Sequence, residues 1–141
     1  GGHYAGASPE HEEALDSYGR NLGMAFQVVD DLLDLEGDES LTGKSLGTDL
    51  EQLKPTLPLI WLLSTLPPGD RSTLQQQLAD AEGSRRQVLD PWLRRSDGLS
   101  YARAVAQRFT VAAQRDLATL PAGPARDVLH RLAESVIRRD V

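Results

Sequence analysis

Apolar positions recur at threes and fours along nearly the whole chain, and no stretch alternates in the manner of a half-buried strand, so the pattern predicts an all-α protein. Ser8-Pro9, a capping hydroxyl followed by proline at the first helical position, opens a helix that the pattern carries to about Glu36. Leu15, Tyr18, Leu22, Ala25, Phe26, Val29, Leu32 and Leu33 give it one core-facing side. The Gly-bearing stretch 37–47 reads as a loop. A second helix is predicted over 48–66, capped by Thr48 or Asp49 and bent or interrupted by Pro55 and Pro58. "PPGD" at 67–70 is a turn. Helices follow over 70–82, 84–95 (disturbed at Pro91), 99–120 and 124–139, with "PAGP" breaking the last two apart. Trp61 and Trp92 are expected in the core or at a dimer interface, and Tyr101 and Phe109 share a core stripe.

The chain has 141 residues, enough to bury a core, and is read as a single all-helical segment over 1–141. A net charge of −6 argues against a nucleic-acid partner, and the pairs Arg85-Arg86, Arg94-Arg95 and Arg138-Arg139 lie apart with acids nearby. With no cysteine, disulfides and thiolate metal sites are excluded, which fits a reducing cytoplasm. The longest apolar run, "LPLIWLLSTL" from Leu57, is about half the ~20 residues a membrane-crossing helix needs. The start "GGHYAGASPE" has no initiating Met, basic region or apolar segment of a signal peptide. The expectation is a cytoplasmic chain that forms part of a longer one.

One segment runs against ordinary helix chemistry. "FQVVDDLLDLEGD", residues 26 to 38, carries Asp30, Asp31, Asp34, Glu36 and Asp38 with no Lys or Arg among them. Aspartate is a poor helix former, and like charges four apart cost a few tenths of a kcal/mol each. At about 100° per residue, Gly19, Gly23, Gln27, Asp30, Asp31 and Asp34 share one arc of the first helix. A solvated face usually mixes signs; this one does not. Glycine inside a helix costs roughly 1 kcal/mol against alanine, so close approach of a ligand or helix is the expected reason for Gly19 and Gly23. Lys44, flanked by Gly43 and Gly47, supplies a cation in the following loop. Crowded carboxylates that stay ionised need cations, and hard oxygen donors select Mg²⁺ or Ca²⁺. An EF-hand fails on spacing, because counting from Asp34 puts Glu39 where glycine is required. Mg²⁺ shared with a phosphorylated ligand fits better.

Phe26-Gln27, the DDxxD at 30–34, Gly37-Asp38, Gly43-Lys44, Gly47-Thr48-Asp49 and Lys54 with Thr56 and Leu57 form an ordered set. Together they resemble the second aspartate-rich region of the trans-isoprenyl diphosphate synthases, the polyprenyl synthetases. The remaining helices resemble that family's C-terminal ones less specifically, so the chain maps onto its C-terminal half. The resemblance implies an isoprenoid-synthase-type helical bundle and Mg²⁺-dependent condensation of an allylic diphosphate with isopentenyl diphosphate. It implies that Asp30 ligates the metal directly, with Asp31 and Asp34 acting mainly through metal-bound water. Lys44 and Lys54 would contact the allylic diphosphate, Gln27 and Phe26 would line the cavity, and Asp49 would support the lysines. A homodimer and long-chain products are further implications.

The chain departs from that family by omission: no second DDxxD or DDxxxxD occurs in these 141 residues, and Leu53 stands where a small residue usually precedes the second lysine. The missing N-terminal half of the site is therefore expected from a longer chain or a partner subunit. Other readings are a non-catalytic subunit, a terpene cyclase, and a helical interaction module with an acidic patch. His3, His11 and His130 have no partners at ligand spacing.

Overall fold

Prolines mark where most of the helices begin. The computed structural model describes residues 1–36, 48–81 and 83–138. In chain order these form α1 (Pro9–Glu36), α2 (Thr48–Glu51), α3 (Leu57–Thr65), α4 (Pro68–Ala79), α5 (Arg85–Arg95), α6 (Gly98–Asp116) and α7 (Pro124–Ile137), with 3₁₀ turns at His3–Ala5 and Leu117–Thr119. Pro9, Pro68 and Pro124 open their helices and Pro58 sits in the first turn of α3, positions where a missing N–H leaves no bond broken. There is no strand among the described residues, and none of their helices is long and apolar enough to cross a membrane. The loop predicted over 37–47, with Lys44, lies outside the described residues.

The helix predicted over 48–66 is interrupted, as its prolines require, leaving α2 one turn long and α3 starting afresh at Leu57. Pro91 does not break α5, which continues to Arg95. A proline there removes only the bond Gln87's carbonyl would have accepted, and Pro91 lies exposed. The apolar face of α1 also differs from the predicted one. Ala14, Tyr18, Ala25, Val28, Val29, Leu32 and Leu35 are buried, while Phe26 is 42 % exposed. Small and β-branched residues let neighbouring helices come close, so the packed stripe follows Ala25 and Val28 rather than the bulkier Phe26.

The chain forms two compact units. The first comprises Gly1–Val29 and the described residues 104–138. Its core joins Tyr18, Ala113, Leu117 and Ala133, with Leu22, Leu120 and Leu129 packed around them. The Tyr18 hydroxyl donates to the Leu129 carbonyl at 2.8 Å, and Asn21 donates to the Asp116 carboxylate at 2.8 Å. Burial pushes the Tyr18 phenol above its ordinary range.

The second unit is Asp30–Arg103. Leu35, Leu50, Leu59, Leu62, Leu74, Leu89 and Leu93 form its core, each leucine contributing about 2 kcal/mol when fully buried. α5 packs against α2, α3 and α4 and is the centre of this unit. Trp92 leans on the core with its indole N–H donated to Gln77 at 2.9 Å, and Trp61 stacks on Tyr101 with centroids 4.0 Å apart. Both tryptophans and Tyr101 are half-buried. Arg103 pairs with Glu36 at 2.6 Å. Gly98, the first residue of α6, meets α3 so closely that a β-carbon on it would lie 2.8 Å from the Pro58 carbonyl oxygen. Gly98→Ala should therefore destabilise the protein by about 1–3 kcal/mol, read as a lower midpoint in urea with an unchanged slope.

Candidate functional site

The end of α2 has unusual backbone geometry that brings Asp49 and Lys54 together. Leu53 is left-handed with φ 51°, the only non-glycine residue with positive φ among those described. Its N–H donates to the Leu50 carbonyl at 3.1 Å and the Lys54 N–H to the Asp49 carbonyl at 2.8 Å. This pair of bonds closes a helix at a position where glycine is usual, and a side chain there costs about 1 kcal/mol. The turn folds Lys54 back onto α2, where its ammonium pairs with the Asp49 carboxylate.

Asp49 is buried, and its N–H donates to the Asp34 carboxylate at 3.0 Å. The last turn of α1 is thereby fastened to α2. Lys54 titrates above the ordinary lysine range, chiefly through its hydrogen bond and charge attraction to Asp49, with Asp34 and Asp31 adding their fields against a desolvation cost. One lysine is thus paired with Asp49 and lies in the field of two further carboxylates from α1. Its side chain is still 56 % exposed, so the ammonium keeps donors for a further anion.

The other side of α2 is fixed by Glu51. Its carboxylate accepts from the Arg85 N–H at 3.0 Å, the Arg86 N–H at 3.3 Å and the Ser84 hydroxyl. Its own carbonyl accepts from the Arg85 guanidinium at 3.3 Å. Ser84 in turn caps α5 by accepting from the Gln87 N–H. Glu51 is held below the usual carboxylate range, first by the Ser84 hydroxyl and then, against some desolvation, by the Arg86 and Arg85 N–H groups.

Of the residues singled out from sequence, Asp31, Asp34, Asp49 and Lys54 come together in the second unit. Asp30 is exposed at the start of that unit. Gln27 and Phe26 are exposed on α1 in the first unit, and Lys44 lies outside the described residues. Gly19 and Gly23 have nothing within 4 Å of an added β-carbon, so no helix among the described residues approaches them, and of the two expected reasons only close approach of a ligand is left. His3 lies 3.1 Å from Glu12 and His130 3.6 Å from Glu134.

No three His, Cys, Asp or Glu side chains among the described residues converge to hold a metal by themselves. The donor chemistry fits Mg²⁺ nonetheless, because that ion takes one or two carboxylates and fills its shell with water and phosphate oxygens. Sequence reasoning missed Glu51 and Ser84. Ser84 with Gln87 three residues on has the sequence pattern of a capping box, a legible signal, whereas the contact from Glu51 spans more than thirty residues and has none.

Comparison with known proteins places these features in context. The polyprenyl synthetase family model matches residues 1–92. The octaprenyl diphosphate synthase of Escherichia coli is 37 % identical over 139 residues, covering 96 % of this chain and 42 % of that protein. The nonaprenyl diphosphate synthase of Mycobacterium tuberculosis is 33 % identical, covering 99 % of this chain and 42 % of its own length. A decaprenyl diphosphate synthase structure from Rhodobacter capsulatus superposes with a TM-score of 0.85 at 32 % identity, over 98 % of this chain and 43 % of that one. The chain therefore spans less than half the length of the relatives it matches.

A lysine raised in the folded state adds stability that is fully present below its unfolded pKa and is lost as pH rises through the folded one. Asp49→Asn should shift the Lys54 titration back down toward ordinary lysine, followed by NMR of the side chain in alkaline solution. A titration unmoved by the substitution would refute the assignment of Asp49 as the main partner.

Proposed function

This chain belongs to the polyprenyl synthetase family, and from that premise we propose that it supplies one half of a prenyltransferase site. The reaction is condensation of an allylic diphosphate with isopentenyl diphosphate to give a longer trans-polyprenyl diphosphate. The carrying observation is Lys54, anchored on buried Asp49 and set in the field of Asp34 and Asp31 with its ammonium still accessible.

Breaking the allylic carbon–oxygen bond builds negative charge on the departing diphosphate. A fixed ammonium donor stabilises that charge more in the transition state than in the ground state, and needs no reorganisation as the bond breaks. Asp49 holds Lys54 in place, while Lys44 is proposed as a second diphosphate contact. Asp30, Asp31 and Asp34 are the residues that would hold Mg²⁺, Asp30 most directly. When bound, the ion supplies Lewis-acid stabilisation of the diphosphate oxygens. Gln27 and Phe26 are proposed to line the substrate cavity. A sequence with one DDxxD leaves binding of isopentenyl diphosphate to groups elsewhere, on a longer chain or a partner subunit. The same reading carries a homodimer and a cytoplasmic location with it.

In the full-length protein, Asp30→Ala and Lys54→Ala should each lower kcat/KM for the allylic diphosphate by about 10²–10³, roughly 3–4 kcal/mol of transition-state stabilisation. Near-normal turnover in both would overturn the assignment. Calorimetry with Mg²⁺ and pyrophosphate separates this reading from a helical interaction module, which would bind neither.

A further inference from the structure

We propose that Glu51 is a positioning residue for Lys54, holding α2 against the N-terminus of α5 so that the Asp49–Lys54 pair is presented in one direction. The inference rests on the prenyltransferase reading and concerns a residue whose carboxylate is bonded to the N-terminus of α5.

α2 is four residues long, far too short to hold its shape alone. Its apolar tether is Leu50, buried in the leucine core of the second unit. One apolar side chain fixes how deep a turn sits but not how it is rotated. Rotation needs directional bonds, and Glu51 makes them, to the Arg85 and Arg86 N–H groups and the Ser84 hydroxyl. The Arg85 guanidinium on the Glu51 carbonyl adds another from the same end of α5. Residues two apart on a helix point about 200° from each other, so a clamp at Glu51 leaves Asp49 facing away from α5. There it meets Lys54 through its carboxylate and Asp34 through its N–H. The left-handed turn at Leu53 then makes Lys54 follow Asp49, because the Lys54 N–H is bonded to the Asp49 carbonyl. Any rotation of α2 therefore moves the ammonium, and a displacement near 1 Å can cost on the order of 10²-fold in rate.

A double-mutant cycle in the full-length protein tests this, using Glu51→Ala, Lys54→Ala and the pair, with kcat/KM for the allylic diphosphate as the readout and circular dichroism confirming that each is folded. Glu51→Ala should lower kcat/KM about tenfold, while the double variant should be no worse than Lys54→Ala alone, since Glu51 acts through Lys54. Losses that multiply would overturn the proposal and mark Glu51 as merely structural, and so would unchanged kcat/KM in Glu51→Ala. If Lys54→Ala alone has no effect, it is the prenyltransferase reading that fails. Glu51→Gln, which keeps one acceptor for the α5 N–H groups, substitutes in the same cycle should the alanine variant not fold; it should show a smaller loss with the same non-additivity, and a multiplicative loss there would overturn the proposal equally.

Discussion

A carboxylate cannot be buried beside other carboxylates unless a cation meets it, and in this chain Asp49 is met by Lys54. That constraint organises the polar part of the second unit. Asp49 needs Lys54 within reach, which requires the chain to reverse at Leu53, which in turn requires α2 to end after one turn. Asp34 at the end of α1 then finds a donor in the Asp49 N–H rather than facing a bare like charge. The repulsion written into residues 30–34 is relieved in part by this arrangement. In the proposed reading, the rest is left for Mg²⁺ held by Asp30, Asp31 and Asp34.

The apolar part of the unit serves the same end. α5 packs against α2, α3 and α4 through leucines, and its N-terminus is gripped by the Glu51 carboxylate of α2, much as the N-terminal turn of α2 is held by the Asp34 carboxylate of α1. A helix N-terminus attracts negative charge, and Glu51 supplies it in a geometry that also fixes α2. Packing and electrostatics therefore meet on one short helix, with the core holding one side and the candidate site on the other. The close crossing of Gly98 on Pro58 sets α6 against α3 in the same unit without involving the site.

The helices were legible because periodicity and proline are local signals: the starts at Pro9 and Pro124 follow from residue types within one turn, whereas 67–70, expected as a turn, already opens α4 at Pro68. The acidic face was legible because five carboxylates between Asp30 and Asp38 with no Lys or Arg among them are a local signal. Burial of particular residues was less so. Helical spacing puts Phe26 on the core side, but the packed stripe is chosen by how closely helices can approach, which favours Ala25 and Val28. Gly19 and Gly23 point to close approach of a ligand or a helix, and among the described residues no helix needs the room. The grip of Glu51 on α5 could not be read at all, since nothing near Glu51 in sequence announces a partner at Ser84 and Arg85.

Leu53 shows how strain and function can be joined in one turn. A leucine held left-handed costs on the order of 1 kcal/mol. Such a conformation persists only where the surroundings determine it, and here they are specific. The Leu53 and Lys54 N–H groups are both satisfied by α2 carbonyls, and the Lys54 ammonium gains Asp49. Relaxing Leu53 to an ordinary backbone would swing Lys54 off Asp49 and leave a buried carboxylate unpaired, which costs more than the strain. The left-handed turn is thus held by the ion pair, and the ion pair by α2, which Glu51 and Leu50 seat in the unit. A chain in which local preference yields to an electrostatic requirement at this one point, and is otherwise consistent with its helical pattern, places its conflict beside the residues proposed to do the chemistry.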